Sequence, residues 1–144
     1  MKRNLILVGV IAVIFVLSIV MSTRQAQVQQ RKLEVRVRHI LIAGDRTDPV
    51  KRAQALEKIG EIRERILAGE SFAELAKKYS EDPSSAPMGG DLGFLEPDQL
   101  DETFGDAALK LKVGELSDIV ETAQGYHIIQ MLGKKEPIKK SAGR

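Results

Sequence analysis

The sequence predicts an α+β domain, a small, mostly antiparallel, four-stranded sheet covered by helices, preceded by one N-terminal transmembrane helix. Three observations predict it. Between residues 33 and 134, segments alternating at period two and segments repeating at helical spacing follow one another as strand, helix, helix, strand, helix, strand, strand. The stretch Leu5 to Met21, LILVGVIAVIFVLSIVM, runs 17 residues without a charge. The composition, 43% hydrophobic and 29% charged, is that of a folded protein.

The apolar stretch is taken first. At helical rise it is roughly 25 Å long, near the lower limit for crossing a bilayer core. Lys2 and Arg3 precede it, which favours a cytoplasmic N-terminus and an extracytoplasmic domain. The alternatives are a cleaved signal sequence, after which the domain is secreted, and a buried core helix. Ser18 to Thr23 offers no convincing small-x-small cleavage site, and no cysteine follows to accept a lipid. The expected organisation is a short basic cytoplasmic end (1–4), an anchor in the lipid bilayer (5–21), a polar spacer (22–32), a folded domain (33–134) and a basic flexible tail (135–144).

Charge is unevenly placed. The N-terminal 32 residues hold five basic side chains and no acid, and residues 134–144 hold five against Glu136. That leaves 12 basic and 19 acidic side chains in residues 33–133, a net of −7. Nucleic acid requires a basic face, so none is expected as a partner. Without cysteine, disulfides, thiolate nucleophiles and cysteine metal sites are excluded.

The folded part opens with Glu34 to Ile42, an alternating β-branched strand in which Val35, Val37, His39 and Leu41 share one face. Asp48 is a natural N-cap with Pro49 at the first helical position. The helix runs to about Ala68 along a stripe of Leu56, Ile59, Ile62 and Ile66, and Gly69 stops it. Ser71-Phe72-Ala73-Glu74 fits a capping box for a second helix ending near Tyr79. A turn-rich loop and a strand around Leu92 to Leu95 follow. The next helix is expected over roughly Gln99 to Leu111, with Leu100, Phe104, Ala107, Ala108 and Leu111 on one side. Two strands, Ser117 to Glu121 and Tyr126 to Leu132, turn at Ala123-Gln124-Gly125.

The chain has two histidines, each in an apolar strand. Singly, each reads as a core histidine with locally satisfied nitrogens. If the first and last strands pair, His39 and His127 sit side by side. No further histidine completes a metal site, and none is expected. Asp82 reads as the cap of the turn made by Pro83 and the following serines. Leu100 and Phe104 read as core, and Gly89, Gly90 and Gly93 as a tight backbone path. No Lys-Ser or Lys-Thr follows these glycines, so they do not form a phosphate-cradling loop.

Six separated motifs in order change the weight of these readings. They are Val37-Arg38-His39-Ile40-Leu41; Phe72-Ala73-Glu74-Leu75-Ala76 with Tyr79-Ser80-Glu81-Asp82; Gly89-Gly90-Asp91-Leu92-Gly93; Phe104 with Ala107; Val113-Gly114-Glu115-Leu116-Ser117; and Gly125-Tyr126-His127-Ile128-Ile129. Together they resemble the parvulin family of peptidyl-prolyl cis-trans isomerases across about residues 33–134, in the layout of its membrane-anchored or secreted bacterial members. The resemblance implies a rotamase needing no cofactor, acting on X–Pro bonds of unfolded or extended polypeptides. It implies that His39 and His127 are the paired histidines beneath the site and that Asp82 lies beside the isomerising bond. Leu92, Leu100 and Phe104 correspond to the proline pocket, and Thr122 to a hydroxyl near the histidine pair. Leu100 stands where methionine is common. Asp101 stands where a polar amide is often found, a departure from the family's pattern at a substrate-binding position. The loop after the first strand interleaves Arg46, Lys51 and Arg52 with Asp45 and Asp48, so no phosphate requirement is expected. The competing function is a tethered chaperone or binding module that uses the same groove with little catalysis.

Overall fold

A computed structural model of the chain describes residues 13–21 and 32–137. Residues 13–21 are helical with exposed side chains. Among the described residues no helix is long and apolar enough to cross a membrane. The remainder of the expected anchor, residues 5–12, lies outside the described residues, as do most of the spacer and of the basic tail.

Residues 33–135 form one compact unit. Its elements are β1 (Glu34–Ala43), α1 (Pro49–Leu67), α2 (Phe72–Tyr79), β2 (Asp91–Leu95), α3 (Glu102–Lys110), β3 (Val120–Thr122) and β4 (Gly125–Lys135). Single 3-10 turns at Ala86–Met88 and Pro97–Gln99 precede β2 and α3. The strands form one antiparallel sheet in the order β2-β1-β4-β3. This is the α+β, four-stranded architecture expected from the sequence.

The long central strands are buried on both faces, and the period-two rule divides their side chains. Ile40, Ile42, Tyr126 and Ile128 pack against Ala55, Ile59 and Ile62 of α1 and Phe72, Leu75 and Ala76 of α2. Val35, Val37, Ile129 and Met131 point the other way, to Phe104 and Ala108 of α3 and to Leu111. Each fully buried aliphatic side chain contributes about 1.5–3 kcal/mol through apolar burial. His39 and His127 fall on the α3 face. In the β1–β4 register His39 lies opposite Ile129 and Leu41 opposite His127, so the two imidazoles are diagonal neighbours on one side of the sheet.

Helix starts follow local chemistry. Asp48 accepts hydrogen bonds from the Val50 and Lys51 amides ahead of Pro49, and the Ser71 hydroxyl accepts from the Glu74 amide.

Two boundaries and one helix face differ from expectation. The helix expected from Gln99 begins at Glu102, because Asp101 is its N-cap and accepts from the Thr103 and Phe104 amides. Leu100 precedes the helix in extended conformation and still packs on the same cluster. On α1, Leu56 is exposed while Ala55 is buried, since Ala55 lies one turn before Ile59 on the face turned to the sheet. The strand expected from Ser117 begins at Val120. Leu116 bridges Gln130, but the Ser117 side chain accepts the Ile129 amide and interrupts the ladder.

Candidate active site

The loop between α2 and β2 carries an acid to the sheet face beneath α3. Its path is pinned to β1 twice over. The Glu81 amide donates to the Leu41 carbonyl at 2.7 Å, and the Leu41 amide to the Ser80 hydroxyl at 3.2 Å. Farther along, the His39 amide donates to the Gly90 carbonyl at 2.9 Å. Gly90 has φ +83°, and a Cβ there would lie 2.2 Å from the His39 carbonyl oxygen. Only glycine permits this approach, and the approach sets His39 and Asp82 in reach of each other.

Asp82 is held on both carboxylate oxygens. Oδ1 accepts from the Ser84 amide at 3.1 Å and the Ser84 hydroxyl at 2.7 Å. Oδ2 accepts from the Ser85 hydroxyl at 2.5 Å and faces His39 Nε2 at 2.8 Å. Partial burial alone would raise the carboxyl. The hydrogen bonds from Ser84, Ser85 and His39 outweigh it and hold the group well below the usual carboxylate range. It is therefore ionised at neutral pH.

An ionised Asp82 orders the hydrogen bonds behind it. A carboxylate only accepts, so His39 Nε2 carries a proton. His39 Nδ1 lies 3.1 Å from His127 Nδ1. With His39 neutral, its Nδ1 accepts and His127 Nδ1–H donates. His127 Nε2 is then the acceptor for the Thr122 hydroxyl at 2.7 Å, and Thr122 in turn accepts from the Gln124 amide at 3.2 Å. Every proton in this series points toward the carboxylate. Burial first, and the charge His39 carries when protonated second, push His127 down to about 4, so the His127 imidazole is neutral at neutral pH. Phe104 closes over both rings edge-on, with centroids 5.4 Å and 5.3 Å away.

His39, Asp82, Leu92, Leu100, Asp101, Phe104, Thr122 and His127 all line one hollow of about 410 Å³. All the candidate site residues are thus brought together. Thr122 is buried and turned to His127, whereas Asp101 stands exposed at the rim. Ser84, Gln99, Ala123 and Gln124 also line the hollow and were missed, as was Ser85 beneath Asp82. A serine pair two residues after an acid is a signal for such anchoring, since the Asp82–Ser84 contact is an Asx turn. Among the described residues no lysine or arginine lines the hollow. The arrangement is a slot walled by Leu92, Leu100 and Phe104 with a fixed negative charge at Asp82. It is suited to gripping a ring beside a polar bond without covalent chemistry.

The profile of the PPIC-type PPIase domain family matches residues 19–135. The chain is 46% identical over 105 residues to the foldase protein PrsA of Geobacillus sp. (strain WCH70), covering 73% of this chain and 34% of that protein. It is 46% identical over 112 residues to the chaperone SurA of Chromohalobacter salexigens, covering 76% of this chain and 25% of that protein. The crystal structure of the peptidylprolyl isomerase PrsA from Bacillus anthracis superimposes with a TM-score of 0.65 at 38% identity, covering 75% of this chain and 45% of that one. The chain therefore spans a quarter to a third of the length of these two curated relatives.

Proposed function

The chain belongs to the PPIC-type peptidyl-prolyl cis-trans isomerase family, and on that premise we propose that residues 33–134 rotate X–Pro bonds in unfolded or extended polypeptides without covalent intermediates. The observation that carries this reading is the Asp82 carboxylate, bonded by Ser84, Ser85 and His39, in a slot walled by Leu92, Leu100 and Phe104.

Amide resonance sets the uncatalysed barrier at about 18–20 kcal/mol, and exchange takes tens to hundreds of seconds. Lowering it by about 4 kcal/mol gives roughly a thousandfold gain. Leu92, Leu100 and Phe104 grip the proline ring while the preceding carbonyl turns. The Asp82 charge disfavours the polarised planar form and so favours the twisted amide, which is differential binding of the transition state. His39, His127 and Thr122 hold Asp82 in place and transfer no proton.

Asp82→Asn tests this. An amide nitrogen cannot accept the bonds that the carboxylate accepts, and charge-assisted hydrogen bonds are worth about 1.5–3 kcal/mol. A loss of about 2 kcal/mol from the transition state lowers kcat/KM roughly thirtyfold. The measurement is cis-trans exchange of Ala-Pro peptides by NMR, and unchanged exchange in the variant rejects the role of Asp82. Peptide binding without faster exchange in the wild type supports instead the second reading, a chaperone or binding module, which the likeness to SurA favours.

Unmodified peptides are the expected substrates. The basic side chains after β1 are engaged by carboxylates: Arg46 and Arg52 with Glu121 at 3.4 and 3.6 Å, and Lys51 with Asp45 and Asp48 at 3.8 and 3.7 Å. A phosphoserine-proline peptide turned over much faster than its unmodified twin overturns this. The apolar run 5–21 anchors the chain in a bilayer, with the N-terminus cytoplasmic and the isomerase domain outside. Residues 22–32 are its spacer and 135–144 its basic tail. Release of the intact chain from membranes by alkaline carbonate argues against the anchor.

A further inference from the structure

The charge around the slot is of one sign. Its ionisable lining, apart from the two histidines, is Asp82 and Asp101. Asp82 is consumed by its four hydrogen bonds. Asp101 is not. Only its Oδ1 is used, accepting from the Thr103 and Phe104 amides at 3.0 and 3.2 Å. Its Oδ2 has no hydrogen-bond or ion-pair partner among the described residues, and it stands at the exposed rim of the same hollow. The amides that start α3 would otherwise attract an anion, but Asp101 already occupies two of them. A second hollow of about 470 Å³ between α3 and β3 is lined by Glu102, Asp106, Lys110 and Glu121, of which Glu121 is paired with Arg46 and Arg52.

We propose that this site prefers proline bonds flanked by lysine or arginine, and that Asp101 sets the preference. The inference rests on the isomerase reading above and names its substrate class. A peptide whose proline ring lies on Phe104 carries its neighbouring side chains past the rim of the slot. A cationic side chain there meets the open Oδ2, and a carboxylate meets repulsion. Each exposed charge contact is worth at most about fivefold, so attraction and repulsion together give a lysine-to-glutamate preference of about tenfold at low salt. With a Debye length of about 10 Å at 0.1 M, added salt erodes that preference.

The test compares acetylated Ala-Lys-Pro-Ala, Ala-Ala-Pro-Lys and their glutamate counterparts, with the full chain in a non-ionic detergent. Exchange rates and dissociation constants are both read by NMR at low and high salt. The wild type favours the lysine peptides by about tenfold at low salt. Asp101→Asn keeps the helix cap, since asparagine caps as well as aspartate, and brings the ratio toward one. Asp101→Lys inverts it. Because the readout is a ratio, a general loss of activity does not mimic it. If no peptide exchanges faster, the isomerase reading fails, and the binding ratio still decides the preference. Equal handling of lysine and glutamate peptides by the wild type overturns the proposal. A preference that survives in Asp101→Asn, or does not weaken with salt, overturns the part assigned to Asp101.

Discussion

Acidification should destabilise the domain well before its carboxylates titrate, and His127 is the reason. In the fold this imidazole titrates at about 4, against 6.5 unperturbed. Between those values the unfolded chain binds the proton and the folded chain does not, so stability falls as pH drops from 6.5 toward 4. The full difference corresponds to about 3 kcal/mol, a large share of an ordinary domain's stability. Asp82 acts in a separate window. Its folded value lies below its unfolded 3.8, so its contribution is present above 3.8 and is lost only as pH falls further. The lowered carboxyls of Asp45 and Asp91 likewise act only below 3.8, and that of Glu70 below 4.5, at the acid end of the histidine window. Urea unfolding of the full chain at half-unit steps from pH 7 to 4, for wild type and His127→Gln, measures the slope. The wild type should lose about 3 kcal/mol across the window, and the variant should lose much less. A wild-type stability that stays flat, or a slope indifferent to His127, refutes the neutral-imidazole argument.

Two substitutions probe the parts that hold the site. Thr122→Val removes the hydroxyl that donates to His127 Nε2 and leaves a buried nitrogen without its partner, so unfolding should show a loss of about 1–3 kcal/mol. Gly90→Ala places a methyl group against backbone at a left-handed φ, and should cost about 2–4 kcal/mol by the same measurement. Gly69→Ala meets no atom within 4 Å and should cost only about 1 kcal/mol, separating strain from collision.

Much of the fold was legible because burial and periodicity coincide in it. β1 opens in alternation and both central strands run on as apolar, β-branched stretches, and Asp48-Pro49 and Ser71 announce the starts of α1 and α2. The start of α3 was misread because Leu100 lies at helical spacing from Phe104. Spacing cannot distinguish a residue in the helix from one packed just outside it, whereas the side chain of Asp101 decides the matter by capping. On α1, a stripe drawn through the larger residues passed over Ala55, which is buried one turn before Ile59 on the sheet-facing side. At the site, the histidine pairing followed once β1 and β4 were neighbours. Ser85 did not, because its burial beneath Asp82 depends on how the loop folds back onto His39, a tertiary fact. The direction of the hydrogen bonds from Thr122 to Asp82 required the distances themselves.

The most direct test of the mechanism is the nitrogen-15 spectrum of the two imidazoles at neutral pH, recorded while the protein exchanges a proline peptide. The His127 ring should remain neutral throughout, and His39 should keep a proton on the Nε2 that faces Asp82. An imidazolium signal from His127, or a His39 Nε2 without its proton, would contradict an ionised Asp82 held through this histidine pair.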